Sequence, residues 1–365
     1  RTMKVSSSRP ATTSQAANLT VSPFTRITSG DIVNDGGRSV GNAWIDYDGD
    51  GDLDVFVANL DGESDFLYRN NGDGTFTKIT NSVISTDTGA GWGAAWGDYD
   101  NDGDYDLFVA NGGGQNNFLY RNNGDGTFTK ITQGAIVNDG GQSSSAAWAD
   151  YDRDGYLDLF VANCCGENNF LYHNNGDGTF TKITSGSIVT AAPFSIGCAL
   201  GDYDNDGYPD LFVAGFNGQN NLLYHNNRDG TFTQVTTGSI VTDGGDSAGC
   251  AWADYDNDGD LDLFVANGNG QNDFLYRNNG DGTFTRITSG DLVNDGAYSS
   301  GVAWGDYDQD GNIDLFIAVY GQNNLLYRNN GDGTFTKVTT GSVVSDGGQS
   351  EAASWGDYDR DGDLD

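Results

Sequence analysis

The word Asp-x-Asp-x-Asp-Gly-x-x-Asp occurs seven times in this chain, starting at Asp46, Asp98, Asp150, Asp202, Asp254, Asp306 and Asp357. Successive copies begin 52 residues apart, except for a last interval of 51. A fixed period of this length means one supersecondary unit copied in series, each copy able to bury its apolar face only against its neighbours. A calcium-binding parallel β-helix would need tandem nine-residue repeats, so the 52-residue period excludes it.

The nine-residue word reads as a calcium loop. Calcium takes six to eight oxygen ligands, many of them carboxylate. In the first copy the side chains of Asp46, Asp48, Asp50 and Asp54 occupy loop positions 1, 3, 5 and 9, and Asp52 at position 7 offers its backbone carbonyl. The same roles fall to Asp98, Asp100, Asp102 and Asp106 with Asp104, and to Asp150, Asp152, Asp154 and Asp158 with Tyr156. They fall next to Asp202, Asp204, Asp206 and Asp210 with Tyr208, and to Asp254, Asp256, Asp258 and Asp262 with Asp260. The last two sets are Asp306, Asp308, Asp310 and Asp314 with Asn312, and Asp357, Asp359, Asp361 and Asp365 with Asp363. Position 6 is glycine in all seven copies, as a sharp turn with positive φ around an ion requires. Two carboxylates about 5 Å apart repel by on the order of 3 kcal/mol at an effective dielectric near 20, so four of them in nine residues call for a cation. An acidic solvated turn would explain one or two aspartates, not four at fixed positions seven times. The chain is therefore expected to hold up to seven Ca²⁺, one per repeat. An EF-hand shares the first half of the word but needs a glutamate at position 12 and flanking helices. Position 12 here is Val57, Val109, Val161, Val213, Val265 or Ile317, inside β-branched apolar runs that read as strands.

The net charge of −36 follows from this chemistry. Of 50 aspartates, 28 are side-chain ligands of the seven loops, and seven Ca²⁺ would leave about −22. No basic patch exists to meet phosphate, which argues against a nucleic-acid partner. No run of 18 apolar residues could span a membrane. Residues 1–23 are rich in Ser, Thr and Ala and read as a flexible leader or linker, with the repeats filling 24–365. Four cysteines make no disulfide framework: Cys164 and Cys165 are adjacent, and Cys198 and Cys250 stand where other repeats carry small residues, so they read as small buried side chains. Calcium dependence argues for an extracellular setting, where sites of weak affinity fill.

Each unit contains four short β segments. In the third repeat they are Ser-Ser-Ser-Ala-Ala-Trp-Ala before the calcium loop, Leu-Asp-Leu-Phe-Val-Ala-Asn after it, then Asn-Phe-Leu-Tyr-His-Asn and Thr-Phe-Thr-Lys-Ile-Thr, the last two joined by an Asn-Gly-Asp-Gly turn. The second segment is apolar throughout and predicts burial on both faces; the fourth alternates and predicts one solvated face. This pattern predicts an all-β fold, a seven-bladed β-propeller of four-stranded antiparallel blades, an eight-bladed ring being the alternative. Residues 24–28 read as a fourth strand that would complete the seventh blade, whose own last strands are missing after Asp365. Alternating strand direction places the calcium loops and Asn-Gly-Asp-Gly turns on one face and the longer, more variable loops on the other.

Two segments, Trp-Gly-Asp-Tyr-Asp-Asn-Asp-Gly-Asp-Tyr-Asp-Leu-Phe-Val-Ala-Asn (96–111) and Asn-Asn-Gly-Asp-Gly-Thr-Phe (122–128), carry a resemblance to the FG-GAP/VCBS repeat family over residues 24 to 365. The resemblance implies a β-propeller with calcium between the first and second strands of each blade. It also implies extracellular recognition of protein or glycan. The chain departs from the integrin members of that family, because all seven repeats keep the loop.

Residues that break the repeat on the variable face are the candidate ligand contacts. Eight residues before the loops stand Arg38, Gln142, Phe194, Asp246 and Tyr298; between the second and third strands stand Leu60, Phe216 and Tyr320; Trp92 is additional. Aromatic rings among Asn, Gln and Gly suit stacking on sugars and hydrogen bonding to hydroxyls. The recurrent Trp44, Trp96, Trp148, Trp252, Trp304 and Trp355 read as core, and His173 and His225 as surface polar positions that replace arginine. No cluster of His, Lys, Arg and Tyr breaks the repeat, as the base and charge neutraliser of a lyase would. The expected function is thus a binding or adhesion module for a glycan or an extracellular protein rather than an enzyme; a polysaccharide lyase or hydrolase is the alternative.

Overall fold

A computed structural model describes residues 24–191 and 194–365; the expected leader over residues 1–23 lies outside them. The described residues contain six antiparallel sheets, each a four-stranded meander, to the last of which the short strand Gly348–Gln349 adds by pairing with its second strand. In the second blade the strands are Gly91–Gly97, Asp106–Asn111, Phe118–Asn122 and Phe128–Ile131. The other blades open at Ser39, Ser143, Ser195, Ser247 and Ser299. The second strand is buried on both faces, as its unbroken apolar run predicts: Leu107, Phe108 and Val109 are all fully buried. The fourth strand is half exposed, with outward Thr129 against inward Phe128 and Lys130.

The cores lie between blades rather than within them. Phe108, Ala110 and Leu119 of the second blade pack with Leu159, Val161 and Tyr172 of the third, and the same pairing recurs between the fourth and fifth blades. The repeated tryptophans seal these joints. Trp148 stacks on Tyr99 of the preceding blade at 6.1 Å, and its indole N–H donates to Ala95 O at 3.1 Å. Trp252, Trp304 and Trp355 make the equivalent bond. Near the axis the first strands approach so closely that a Cβ on Gly197 would lie 2.3 Å from Ala248 O, and one on Gly249 2.4 Å from Ser300 O. The first strands surround a central cavity of about 260 Å³, to which each of the seven repeats contributes, from Gly41 to Ala352. Cys198 and Cys250 line it, half-buried.

Two expectations need correction. A seven-bladed ring with its last blade cut short was expected; six blades are present, because the seventh repeat supplies only its opening segment and acidic loop, and residues 351–365 form no strand. Residues 24–28 likewise form no strand. An outermost strand hydrogen-bonds only to the third strand of its own blade, and the seventh repeat brings none. Phe24 nevertheless sits where the fourth-strand phenylalanine of a blade belongs. It packs 5.7 Å from Tyr307 and 5.9 Å from Trp355, as Phe180 packs on Tyr99 and Trp148. The seventh repeat also meets the first blade as every other blade meets its neighbour. Asn70 Nδ2 donates to Tyr358 O at 2.7 Å, and Asn122 Nδ2 to Tyr47 O at 2.7 Å.

The segments between blades are not featureless. Each contains one helical turn, such as Val83–Thr86 or Ser187–Thr190, which buries Ile84, or Ile188 and Val189, beneath the sheet. An aspartate after the turn then joins a third-strand tyrosine and a fourth-strand cation. Tyr120 Oη donates to Asp87 at 2.8 Å, and Lys130 Nζ lies 2.7 Å from the same carboxylate.

Candidate cation loops and the opposite face

Each acidic loop winds around its own first aspartate. In the second loop the backbone N–H groups of Asp102 and Gly103 donate to the two oxygens of Asp98 at 3.1 and 3.0 Å. Position 6 glycines have φ between 90° and 97° in all seven loops, the left-handed turn the sequence required. Asp106, at position 9, closes the structure. Its Oδ1 accepts from Asn122 N at 2.8 Å and its Oδ2 from Tyr99 N at 3.2 Å, so one side chain ties loop start, second strand and third strand together. Burial pushes this carboxyl up to about 8, and the corresponding Asp54 to about 7. At position 3, burial followed by the nearby Asp102 and Asp98 charges raises Asp100 as well.

The carboxylates converge. In the first loop Asp46, Asp48 and Asp50, and in the second Asp98, Asp100 and Asp106, each bring an oxygen within 4.8 Å of the others. Several of these oxygens are buried with no hydrogen-bond donor: Oδ1 of Asp46, Asp100, Asp256 and Asp308. Orphaned, crowded, buried carboxylate oxygens are the donor set a hard divalent cation takes. The residues at positions 1, 3, 5 and 9 and the carbonyl at position 7 could therefore hold Ca²⁺ in each loop.

Three features of this face were not legible in the sequence. In the third, fourth and sixth repeats the third-strand residue points back over the loop rather than outward to solvent. Arg328 lies 2.6 Å from Asp308 and 2.8 Å from Asp310, and His173 and His225 reach the equivalent carboxylates. The position 7 side chain lies over the first glycine of its Asn-Gly-Asp-Gly turn, so a Cβ on Gly124 would sit 2.5 Å from Asp104. This contact confirms that loops and turns share one face. Finally, the residue at position 4 has positive φ and in six of the seven loops reaches the following repeat. Asn101 Nδ2 donates to Gly155 O at 2.8 Å, Arg153 stacks on Tyr208 at 4.4 Å, and Gln309 Nε2 donates to Gly362 O at 2.6 Å. Arg360 carries the series from the seventh repeat back to the first, at 2.9 Å from Asp52.

On the opposite face the structure brings the repeat-breaking residues together in pairs. The N–H of the second-to-third loop residue donates to the carbonyl of the residue preceding the first strand. Phe216 bonds Phe194 at 2.8 Å, Tyr320 bonds Tyr298 at 2.9 Å, and Leu60 bonds Arg38 at 3.0 Å. The rings of the first two pairs lie 6.0 and 5.4 Å apart. Between these pairs lies Gly268, whose missing side chain would touch both Tyr298 and Phe216, at 3.3 and 3.5 Å. Asp246 sits in the same arc, accepting from Gly218 N, Asn269 Nδ2 and Gln271 Nε2 at 2.8–3.0 Å. Trp92 is exposed and lies against Gly112 in the second blade; Gln142 accepts from Gly113 N at 3.0 Å; Arg38 is ion-paired with Asp61 at 2.7 Å. Leu60 is only 6% exposed. It was expected among the ligand contacts; its burial beneath the loop removes it.

Two buried carboxyls on this face, Asp65 and Asp273, are pushed up to about 7, chiefly by burial. Asn117, Asn169, Asn221 and Asn324 fill this position in other blades and accept the same backbone bond. An unfolded aspartyl carboxyl titrates near 3.9. A raised folded value stabilises the protein below that pH, and the contribution is lost as pH rises to about 7. The upper limit of the loss is about 4 kcal/mol per group. Asp273→Asn, which keeps an acceptor for Asn267 N, is expected to raise the melting temperature by a few degrees at pH 8 and to leave it unchanged at pH 4. Thermal melts from pH 4 to pH 8 check this; a variant no more stable than the parent at pH 8 would contradict it.

Four-stranded antiparallel blades set around an axis, each opening on an acidic loop, define a repeat β-propeller. The chain belongs to the FG-GAP-like repeat family, whose pattern matches residues 46–109, 98–161, 152–213, 202–265, 254–317 and 306–365. It is 30% identical to cartilage acidic protein 1 of Xenopus tropicalis over 265 residues, 64% of this chain and 38% of that protein. It is 25% identical to the Homo sapiens protein of the same name over 341 residues, 77% of this chain and 47% of that one. The chain thus spans less than half the length of these relatives. In fold it is similar to a lectin of Agrocybe aegerita that recognises non-reducing terminal N-acetylglucosamine. That match has a TM-score of 0.60 and 23% identity, covering 85% of this chain and 82% of the other. It is also similar to BBS1N solved in complex with ARL6DN, with a TM-score of 0.53 and 16% identity over 88% and 86% of the two chains.

Proposed function

We propose that this protein is a calcium-stabilised, extracellular binding module built as a seven-position ring, and that it takes a glycan on the face opposite the acidic loops. The observation that carries this reading is the pairing of repeat-breaking aromatics. Phe194 with Phe216 and Tyr298 with Tyr320 flank a glycine, and Asp246 and its amide partners stand beside them. Rings that present a face, next to a carboxylate and amides, suit the apolar face and hydroxyls of a pyranose. A propeller of similar fold that binds a sugar is consistent with this, as are relatives named for cartilage rather than for a reaction.

Calcium belongs to the loops and acts as structural glue. The carboxylates at positions 1, 3, 5 and 9 would hold it, and it would offset their mutual repulsion. The ring reading rests on the joint between repeat seven and blade one, made by Tyr358, Arg360 and Asn70. The extracellular reading rests on the calcium chemistry, since weak sites fill there.

A glycan array probed with and without calcium tests the function. Binding is expected in calcium, and Tyr298→Ala or Tyr320→Ala should weaken it at least roughly tenfold, a loss of about 1.4 kcal/mol. A clean array together with measurable polysaccharide cleavage would overturn the reading in favour of an enzyme.

A further inference from the structure

Two of the loops differ from the rest in a coupled way. Where other repeats carry Arg69, Arg121, Arg277 and Arg328 on the third strand, the third and fourth carry His173 and His225. Where the others have aspartate or asparagine at loop position 7, the same two repeats have Tyr156 and Tyr208. An arginine over a cation loop is a competing positive charge and has no lone pair to donate. A neutral imidazole is a metal ligand.

The geometry places these imidazoles beside the loop carboxylates. His173 Nδ1 lies 3.3 Å from Asp152 Oδ2 and 3.2 Å from Asp158 Oδ1. His225 Nδ1 lies 3.2 Å from Asp204 Oδ2 and 3.4 Å from Asp210 Oδ1. The Asp158 and Asp210 side chains are 1% and 0% exposed. Both Nδ1 atoms are buried and have no hydrogen-bond partner despite these short distances. The oxygens therefore lie off the N–H direction of the ring. They lie within 4.8 Å of one another in each site.

We propose that the third and fourth loops are zinc-class sites, with Asp152, Asp158 and His173 in one and Asp204, Asp210 and His225 in the other as protein ligands. Bonds of about 2.0–2.1 Å at a tetrahedral ion put neighbouring donor atoms about 3.3–3.4 Å apart, close to all four contacts. Calcium accommodates similar oxygen spacings, so the nitrogen decides: calcium coordinates oxygen, whereas imidazole suits zinc and its neighbours. The competing explanation is charge balance, because replacing Arg and Asp by His and Tyr leaves the local charge unchanged. The assignment needs only the loop fold, and it stands or falls independently of calcium in the other loops.

The test uses the whole chain, stripped with chelator and returned to calcium at about a thousandfold excess over zinc. Two equivalents of Zn²⁺ are expected to bind by calorimetry and to resist the calcium, and Co²⁺ in their place should give the visible absorption of a nitrogen–oxygen site. His173→Arg and His225→Arg restore the residue the other repeats carry, so the fold tolerates them. Each should remove one equivalent, and the double variant both. Zinc displaced by the calcium excess would overturn the proposal and leave charge balance as the explanation. Two equivalents retained by the double variant would overturn it as well, by placing the zinc elsewhere, for instance at Cys164 and Cys165.

Discussion

Excess chelator is expected to lower the melting temperature of this protein by roughly 10–20 °C. Each loop gathers four acidic side chains, several with buried oxygens that find no donor within the protein. A cation bound only by the folded state stabilises it by mass action, about 1.4 kcal/mol per site at ten times its dissociation constant. Seven such sites supply on the order of 10 kcal/mol, comparable to the whole net stability of a typical domain. A protein larger than 250 residues moves by about 2 °C or somewhat less per kcal/mol, which sets the lower part of the range. Calorimetry in chelator, in calcium, and in chelator followed by recalcification measures the effect and its reversal. A melt that does not move in chelator would remove calcium from the account of this fold.

Asp106→Ala is expected to be the most damaging single loop substitution, costing roughly 2–5 kcal/mol. Two buried backbone N–H groups, those of Asn122 and Tyr99, would lose their only described acceptors, and each orphaned donor costs about 1–3 kcal/mol. Part of this loss has nothing to do with a metal. The substitution should therefore still destabilise the protein in chelator, whereas Asp102→Ala, at an exposed position, should matter chiefly when calcium is present. Asp106→Asn keeps one acceptor oxygen and should fall between the two. Denaturant unfolding of the three variants, with and without calcium, gives the comparison. Equal effects of Asp106→Ala and Asp102→Ala in chelator would show that position 9 does not brace the blade.

Most of the fold was legible because repetition averages out local ambiguity. A single Leu-Phe-Val-Ala run could belong to a helix or a strand; six of them, each behind the same glycine turn, could only be inner strands. The positive φ at position 6 was readable for the same reason, since no residue but glycine appears there. What escaped were features set by neighbours in space. The inward pose of His173 depends on a loop some 20 residues away, and Asn101 looks like an arbitrary filler until Gly155 of the next repeat is beside it. The burial of Leu60 escaped too, because its loop folds back over it under the carbonyl of Arg38. The missing seventh sheet follows from strand pairing. A segment with strand periodicity forms no strand without an edge to join, and Phe24 keeps only its packing.

The position 4 contacts give the molecule a direction. Asn101, Arg153, Gln309 and Arg360 all point the same way around the axis, each side chain resting on the loop that follows and none on the loop before. Each contact nonetheless couples its two loops in both directions, since such coupling is reciprocal. Six of the seven joints around the ring carry such a hook, and the series opens at the first loop, where Gly49 has no side chain to extend.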